Sequence, residues 1–477
     1  MRKSGVLMHI STLYGDYSCG SFGKEAKEFI DFLSDTGFSV WQVLPFGTTD
    51  ECNSPYKSYS AFGGNPYFVD LNSLYEKGYI TYDELNRQKQ NTPYSCEYKR
   101  LFDERVTLLC DCAQKVPDAE REKIEKFIEE NNYLADFCKF MALKSANSDA
   151  EWQKWQNFDI DEKILFGWKF IQYEFFNQWQ EIKKYANEKN ISIIGDIPIY
   201  VSQDSCDVWS NRDEFLLDEK GYPTSVAGVP PDYFSKDGQL WGNPLYDWDK
   251  MKKNDCKWWV DRISHMLKMF DGIRIDHFRG LESFWSVPAD AKTAASGKWV
   301  KGPGLDFIEK IKKTADGKMI IAEDLGEISE DVKRLVEDSG FPGMRVLQFG
   351  FLSYDDNVHL PHNYIKNCVA YTGTHDNNTL LGYLWELDAD KKKYLLKYCG
   401  YENENWENGF DSIVRTLFAS SADTVILPIQ DLLKYGSDTR LNTPGTSENN
   451  WLYRITKDQL SGIDKNYYRD LIKLYKR

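Results

Sequence analysis

Eight short apolar segments, rich in β-branched residues and ending in polar ones, recur along the chain. Continuous apolar runs of this length are typical of strands that are buried on both faces of a parallel sheet. They therefore predict eight strands of one parallel sheet. The predicted strands cover residues 6–11, 39–45, 192–201, 271–277, 318–324, 344–351, 368–376 and 424–431.

Amphipathic helical patterns lie between several of these segments. One apolar stripe at helical spacing runs from Phe22 to Leu33 and ends before Gly37, a residue that suits the left-handed end of a helix. Another runs from Trp168 to Ile182, just before the third predicted strand. Alternating strands and helices predict an α/β fold, a (β/α)8 TIM barrel. The alternative is a doubly wound sheet, which the lack of a Gly-rich phosphate turn after the first strand disfavours.

Two intervals are too long for a simple crossover. Residues from about 50 to 165 carry charged helical patterns and predict a mostly helical insertion after strand 2. Residues from about 202 to 255 are rich in Gly, Pro and aromatic residues and predict a loop-rich insertion after strand 3. Both follow the strand ends where a barrel builds its active site. After the last strand we expect a loop and a helix, and hence a single catalytic domain over 1–477 with no C-terminal β-sandwich domain.

The composition of the chain argues against several classes of partner and substrate. The chain has 477 residues and a net charge of −15, which disfavours nucleic acid and anionic lipid as partners and favours a neutral or cationic substrate. No apolar window approaches the ~18 residues of a membrane-spanning helix. Ten cysteines without a CxxC pair predict reduced thiols in the cytoplasm rather than a zinc site. Aromatic residues make up 15%; many of them belong to the core, and others are available to stack on flat apolar faces, including those of sugar rings.

Three predicted strands end in acids: Asp276, Glu323 and Asp376. In a closed barrel these strand ends converge on one mouth. Crowded carboxylates push their pKa values apart, so that one stays ionised while another stays protonated, as glycoside cleavage requires. Arg274 lies on the same strand face as Asp276 and would keep it ionised and oriented. A single Asp at a strand end is more often a cap or turn residue, but three such acids together favour a catalytic role.

Converging carboxylates also suit a divalent metal ion. Arg274 disfavours that alternative because a guanidinium competes with a cation for the same oxygens. Ligation by histidine and carboxylate together stays possible in principle. We expect no metal and, since no phosphate-binding loop is visible, no organic cofactor.

Three motifs identify a family. The runs 272–280 (GIRIDHFRG), 321–326 (IAEDLG) and 371–377 (YTGTHDN) resemble the signatures of 4-α-glucanotransferases, also called amylomaltases or disproportionating enzymes, of the α-amylase-like superfamily. Further similar runs extend the resemblance over almost the whole chain; they are 41–45, 54–56, 64–66, 195–199, 239–244 and 440–445.

The resemblance implies transfer of α-1,4-glucan segments between maltooligosaccharides by a retaining mechanism with a covalent intermediate. It implies that Asp276 is the nucleophile, Glu323 the general acid/base and Asp376 the transition-state stabiliser. Glu51 and Cys52 stand where some relatives carry an aromatic residue of a secondary glucan-binding site, so that site is not implied here. The implied substrate-binding residues are Tyr56, Asp196, Gln239, Trp241, Arg274, His277, His375 and Asn442.

Transfer requires that an acceptor sugar is held in place and that water is excluded. The segment 229–244 combines prolines, aromatic residues and amides, and we expect it to bend over a glucan. An α-glucan hydrolase with the same three acids and a catalytically silent glucan-binding barrel are the alternatives. The presence of all three acids disfavours the silent barrel.

Overall fold

The computed structural model describes residues 2–49, 52–231, 236–326, 328–403 and 405–477. Glu51 and residues 232–235 of the expected covering loop lie outside these ranges. The described residues form twelve strands: β1 Lys3–Leu7, β2 Val40–Gln42, β3 Ser192–Ile197, β4 Ser225–Val229, β5 Gln239–Pro244, β6 Gly272–Ile275, β7 Ser283–Pro288, β8 Lys298–Lys301, β9 Met319–Ala322, β10 Gly343–Val346, β11 Cys368–Tyr371 and β12 Thr424–Pro428.

Eight strands close into a parallel barrel in the order β1-β12-β11-β10-β9-β6-β3-β2. Each overlaps one of the eight predicted segments, so the predicted (β/α)8 barrel is confirmed. Because all eight strands are parallel, their carboxyl ends surround one mouth. The sixth predicted segment was too long, since its second half, Leu347–Gly350, is a helical turn.

Helices connect the strands. Between β1 and β3 they are α1 Lys24–Thr36, α2 Leu71–Glu76, α3 Tyr82–Arg87, α4 Tyr98–Arg100, α5 Val106–Ala113, α6 Asp118–Glu129, α7 Asn132–Ala146 and α8 Glu162–Glu188. Between β3 and β11 they are α9 Cys206–Ser210, α10 Trp248–Lys253, α11 Lys257–Met269, α12 Leu305–Ala315, α13 Glu330–Ser339 and α14 Leu347–Gly350. The others are α15 Leu380–Glu386, α16 Ala389–Tyr398, α17 Phe410–Ala419, α18 Ile429–Leu433, α19 Lys457–Ser461 and α20 Lys465–Tyr475.

Both predicted amphipathic stripes lie on helices, except that Phe22, the first residue of the first stripe, precedes α1. Gly37 ends α1 in the left-handed conformation, with φ of 90°, and its N–H donates to the Leu33 carbonyl oxygen. The stripe from Trp168 to Ile182 lies on α8, which begins at the side-chain cap Asp161. Helix α8 packs against α1, α5, α7 and strand β3, so it joins the helices that follow β2 to the barrel wall.

A second sheet was not part of the prediction. It is antiparallel, with the order β5-β4-β7-β8, and combines strands that follow β3 with strands that follow β6. The prediction of a loop-rich segment at 202–255 did not include β4 and β5. Strand β4 pairs with β7, which lies far along the chain, and such non-local pairing leaves no periodic signal in a short segment. The boundaries of the two insertions as separate units stay a prediction.

None of the helices in the described ranges is long and apolar enough to cross a membrane.

We expect Trp179→Ala to destabilise the protein by about 3–5 kcal/mol, the usual cost of removing a large buried aromatic side chain. Trp179 is fully buried on α8, and its Nε1–H donates to the Met269 carbonyl oxygen at 3.0 Å. Urea unfolding followed by tryptophan fluorescence and circular dichroism measures the change. Phe158→Ala is the control, because that side chain is 64% exposed. An equal loss of unfolding free energy in both variants would contradict the role of Trp179 in the buried core.

Candidate active site

Two of the predicted acids are neighbours at the barrel mouth. Strands β6 and β9 pair in register with Ile275 beside Ala322, so the residues that follow, Asp276 and Glu323, lie side by side. Their backbones continue the sheet: the Asp276 N–H donates to the Ile197 carbonyl at 2.9 Å, and the Glu323 N–H to the Ile275 carbonyl at 3.1 Å. The backbone itself therefore places the two carboxyl groups together.

Arg274 joins two carboxylates beneath the mouth. Its Nη1 donates to Asp196 Oδ2 at 2.6 Å and its Nη2 to Asp276 Oδ1 at 2.7 Å. Asp196 Oδ2 also accepts a hydrogen bond from the Tyr56 hydroxyl at 2.6 Å. Arg274 and Asp196 are buried, and they sit directly opposite each other on β6 and β3. This network fixes the Asp276 carboxylate from below.

Glu323 has a different environment from Asp276. Burial, followed by the negative charge of Asp276, raises the pKa of Glu323 to about 7. Its two oxygens accept the backbone N–H groups of His277 at 2.6 Å and Leu325 at 2.8 Å, and these bonds partly oppose the rise. His277, which donates one of these bonds, has φ of 50°, so the chain turns in the left-handed conformation directly after Asp276. Glu323 is thus able to exchange a proton near neutral pH.

The third acid, Asp376, is held by its own partners. Asn442 Nδ2 donates to Asp376 Oδ1 at 2.7 Å, and His375 Nε2 lies 3.3 Å from Oδ2. Burial would raise the pKa of Asp376, but His375 and Asn442 outweigh it and hold that pKa well below its usual range. In return, although burial lowers the pKa of His375, Asp376 raises it above its ordinary value. Asp376 is therefore an anion across the neutral range.

Aromatic rings form the walls. Tyr56 stacks on His375 with ring centroids 5.1 Å apart and planes 18° apart, and Trp451 lies 5.9 Å from both rings. On another wall, Trp241 meets the His277 ring edge to face at 4.9 Å and donates its Nε1–H to Gln239 Oε1 at 3.1 Å. Flat apolar faces beside polar groups suit the binding of sugar rings.

These groups surround a cavity of about 530 Å³. Four other predicted residues adjoin it: Asp196 and Arg274 bond to lining residues, Glu323 lies beside Asp276, and His277 follows Asp276 in the chain. The structure therefore brings all eleven predicted site residues together. Those that line the cavity are Tyr56, Gln239, Trp241, Asp276, His375, Asp376 and Asn442.

Comparison with known proteins identifies the family. Residues 8–460 match the model of a 4-alpha-glucanotransferase family. The chain belongs to this family of 4-alpha-glucanotransferases. It is 43% identical to the 4-alpha-glucanotransferase of Clostridium butyricum, with 98% of this chain and 100% of the relative covered. With the 4-alpha-glucanotransferase of Streptococcus pneumoniae R6 it shares 41% identity, over 100% of this chain and 97% of the relative.

A solved structure agrees with this assignment. The amylomaltase from Streptococcus agalactiae in complex with acarbose superimposes with a TM-score of 0.96, at 38% identity and 100% coverage of both chains. An amylomaltase from Corynebacterium glutamicum, 18% identical, matches with a TM-score of 0.83 over 98% of this chain and 75% of that one, which shows the shared fold. The family resemblance deduced from the sequence motifs is thus confirmed, and the chain is an enzyme of the 4-alpha-glucanotransferase kind.

Two lining or supporting residues of this 4-alpha-glucanotransferase were not predicted. Trp451 lines the cavity with φ of 67°, a conformation that a bulky side chain rarely adopts. Arg440 donates from Nη2 to the Asp376 carbonyl at 2.6 Å and from Nε to the Asn442 carbonyl at 2.7 Å. Arg440 begins a run that was recognised as a family motif, whereas nothing in the local pattern indicates the position of Trp451.

We expect Asp276→Asn to lower the pKa of Glu323 below about 7, because the Asp276 charge raises that pKa in the native site. Carbon-13 NMR of the enzyme labelled at glutamate Cδ follows the titration, and Glu323→Gln assigns the signal by its loss.

The exposed residue Asp83 offers a matched control, since Asp83→Asn removes one negative charge away from the mouth and should leave the Glu323 signal unchanged. An unaltered Glu323 pKa in Asp276→Asn would contradict the like-charge explanation.

Proposed function

We propose that the enzyme transfers α-1,4-glucan segments between maltooligosaccharides by a retaining double displacement. The observation that carries this proposal is the pairing of Asp276, bound by Arg274, with Glu323, whose pKa is raised to about 7. A retaining mechanism needs one carboxylate as nucleophile and one carboxylic acid as proton donor at the same linkage. The two neighbours meet that requirement.

In the first step Asp276 attacks the anomeric carbon. Arg274 binds Oδ1, so we assign the attack to Oδ2. Glu323 gives its proton to the oxygen of the departing glucan, and the C–O bond breaks as the ester bond forms. The Asp376 anion stabilises the positive charge that develops on the sugar, while Asn442 and His375 keep its carboxylate in place.

In the second step Glu323 acts as a base. Formation of the ester removes the negative charge of Asp276, which is one of the causes of the high Glu323 pKa, so this pKa falls after the first step. Glu323 then takes the proton from the hydroxyl of an acceptor sugar, whose oxygen displaces Asp276 from the anomeric carbon. Two inversions retain the α configuration.

The walls of the cavity favour a sugar acceptor over water. Tyr56, Trp241 and Trp451 provide apolar faces around the acids, and ordered faces of this kind position an acceptor and exclude water. The names of the relatives support transfer over hydrolysis. The cytoplasmic location, the absence of nucleic-acid partners and the lack of a cofactor stay predictions from the sequence.

Maltotriose distinguishes the possible activities. We expect the purified enzyme to convert it into glucose together with chains longer than three units, which chromatography resolves. Glucose and maltose alone would indicate hydrolysis and contradict transfer, and no conversion would indicate a glucan-binding protein without chemistry.

Asp276→Asn should lower turnover by roughly 10⁴-fold or more, the scale that loss of a nucleophile produces. Unchanged circular dichroism and retained binding of maltooligosaccharide, measured by calorimetry, would exclude misfolding. Activity close to that of the native enzyme would overturn the assignment of the nucleophile.

Glu323→Gln should still form the covalent intermediate from α-maltosyl fluoride, because fluoride leaves without a proton. The intermediate should accumulate, since the base for the second step is missing. Mass spectrometry of the intact protein and its peptides should show one added maltosyl group on the peptide that contains Asp276. A label on another acid would contradict the proposed roles.

A further inference from the structure

A second groove, of about 510 Å³, lies beside the active-site cavity. It is formed by helix α15, the start of α19, the segment that follows α18 and a tyrosine from the region between α3 and α4. The proposed mechanism uses none of its side chains. We call it the aromatic groove; its principal residues are Tyr94, Trp385, Tyr435, Asp438, Tyr453 and Gln459.

Trp385 provides a flat surface in this groove. Its side chain is 53% exposed, although indole rings are usually largely buried. The ring edge lies directly on the backbone of Gly436, since a Cβ at that position would overlap Trp385 Cζ3 and Cη2. Gly436 therefore holds the indole in place while much of the ring stays open to solvent. A fixed, exposed indole is a feature of binding sites.

Two tyrosines extend the surface. Tyr94 is 61% exposed, and its carbonyl accepts the Arg454 N–H at 3.0 Å. The adjoining residues Ser95 and Tyr453 form an antiparallel bridge, so Tyr94 and Tyr453 are held on neighbouring backbone segments. The Tyr453 hydroxyl oxygen is buried and has no hydrogen-bond partner among the described residues. This oxygen is inaccessible to a ligand hydroxyl, so the binding surface here is the exposed ring of Tyr94.

Polar groups complete the groove. Gln459 Oε1 accepts the Thr456 N–H at 2.8 Å, so the side-chain amide is held at the groove with its NH₂ group available as a donor. The Asp438 carboxylate is exposed and can accept hydrogen bonds. Stacking faces with a few hydrogen-bonding groups match a chain of neutral sugars. The net charge of −15 disfavours an anionic polymer in the same groove.

The groove and the cavity share one segment of chain. Thr439 lines the groove and Asn442 lines the cavity, and three residues span at most about 11 Å. Between them, Arg440 binds the backbone of Asp376. We propose that the aromatic groove is a second binding site for α-glucan, which holds a distant part of the same long chain that reacts in the cavity. This inference rests on the proposed function, because the reaction supplies the ligand class.

Trp385→Ala tests the proposal. We expect it to weaken binding to glycogen by roughly three- to tenfold, as for the loss of one aromatic contact, measured by retardation in glycogen-containing gels. Tyr94→Ala, which removes the other exposed ring of the groove, should also weaken binding. Phe158→Ala is the matched control, an exposed aromatic residue outside the groove. Turnover of maltotriose, too short to occupy both sites, should be unchanged in all three variants.

Several outcomes would overturn the proposal. These are native affinity for glycogen in both Trp385→Ala and Tyr94→Ala, a loss of binding to the β-glucan laminarin equal to the loss of binding to glycogen, and dissociation of a dimer in sedimentation with glycogen binding intact. The last result would identify the groove as a protein interface. Failure of the native enzyme to convert maltotriose would instead contradict the proposed function, so the two failures are distinguishable.

Discussion

The buried Arg274 guanidinium is the interaction on which the rest of the site depends. Its two terminal nitrogens bind carboxylates on adjacent positions of the barrel mouth, Asp196 and Asp276. Burying these charges is unfavourable unless each is paired in good geometry. The parallel register of β3 and β6 provides that geometry, because it places Asp196 directly beside Arg274. The barrel thus determines the position and the partner of Asp276, the proposed nucleophile.

The same pairing helps to explain why the three acids differ in electrostatic environment. Arg274 bonds to Asp276 but to neither oxygen of Glu323, which accept backbone N–H groups instead. Burial and the charge of Asp276 therefore outweigh the hydrogen bonds and the Arg274 charge, which favour the ionised form, and they raise the pKa of Glu323 to about 7. Asp376 has separate partners: His375, which lies in the loop after β11, and Asn442, which lies in the segment after α18. Distant parts of the chain thus give the three acids distinct environments, as the proposed division of chemical roles requires.

The elements that sequence could predict are those with a local signal. Barrel strands buried on both faces appear as continuous apolar runs, and acids at their ends could be assigned to one mouth once the barrel was predicted. The sheet β5-β4-β7-β8 depends on pairing between distant segments and was not predicted. The helical turn Leu347–Gly350 is apolar, so it was indistinguishable from a strand by periodicity. The conformation of Trp451 depends on tertiary contacts and has no signal in its neighbourhood.

The segment that follows α18 connects the proposed active site to the proposed second glucan site. Arg440 and Asn442 hold Asp376, Asn450 receives the Thr443 N–H at 2.9 Å and donates to the Thr446 carbonyl at 3.0 Å, and Trp451 closes the wall. These bonds make the segment internally cross-linked. A glucan that contacts this segment at a distance from the acids would therefore contact a support of Asp376, the proposed transition-state stabiliser. If the aromatic groove binds glucan as proposed, binding energy from remote sugars would hold the reacting linkage against the acids and raise the rate for long chains without any change in the proposed catalytic groups.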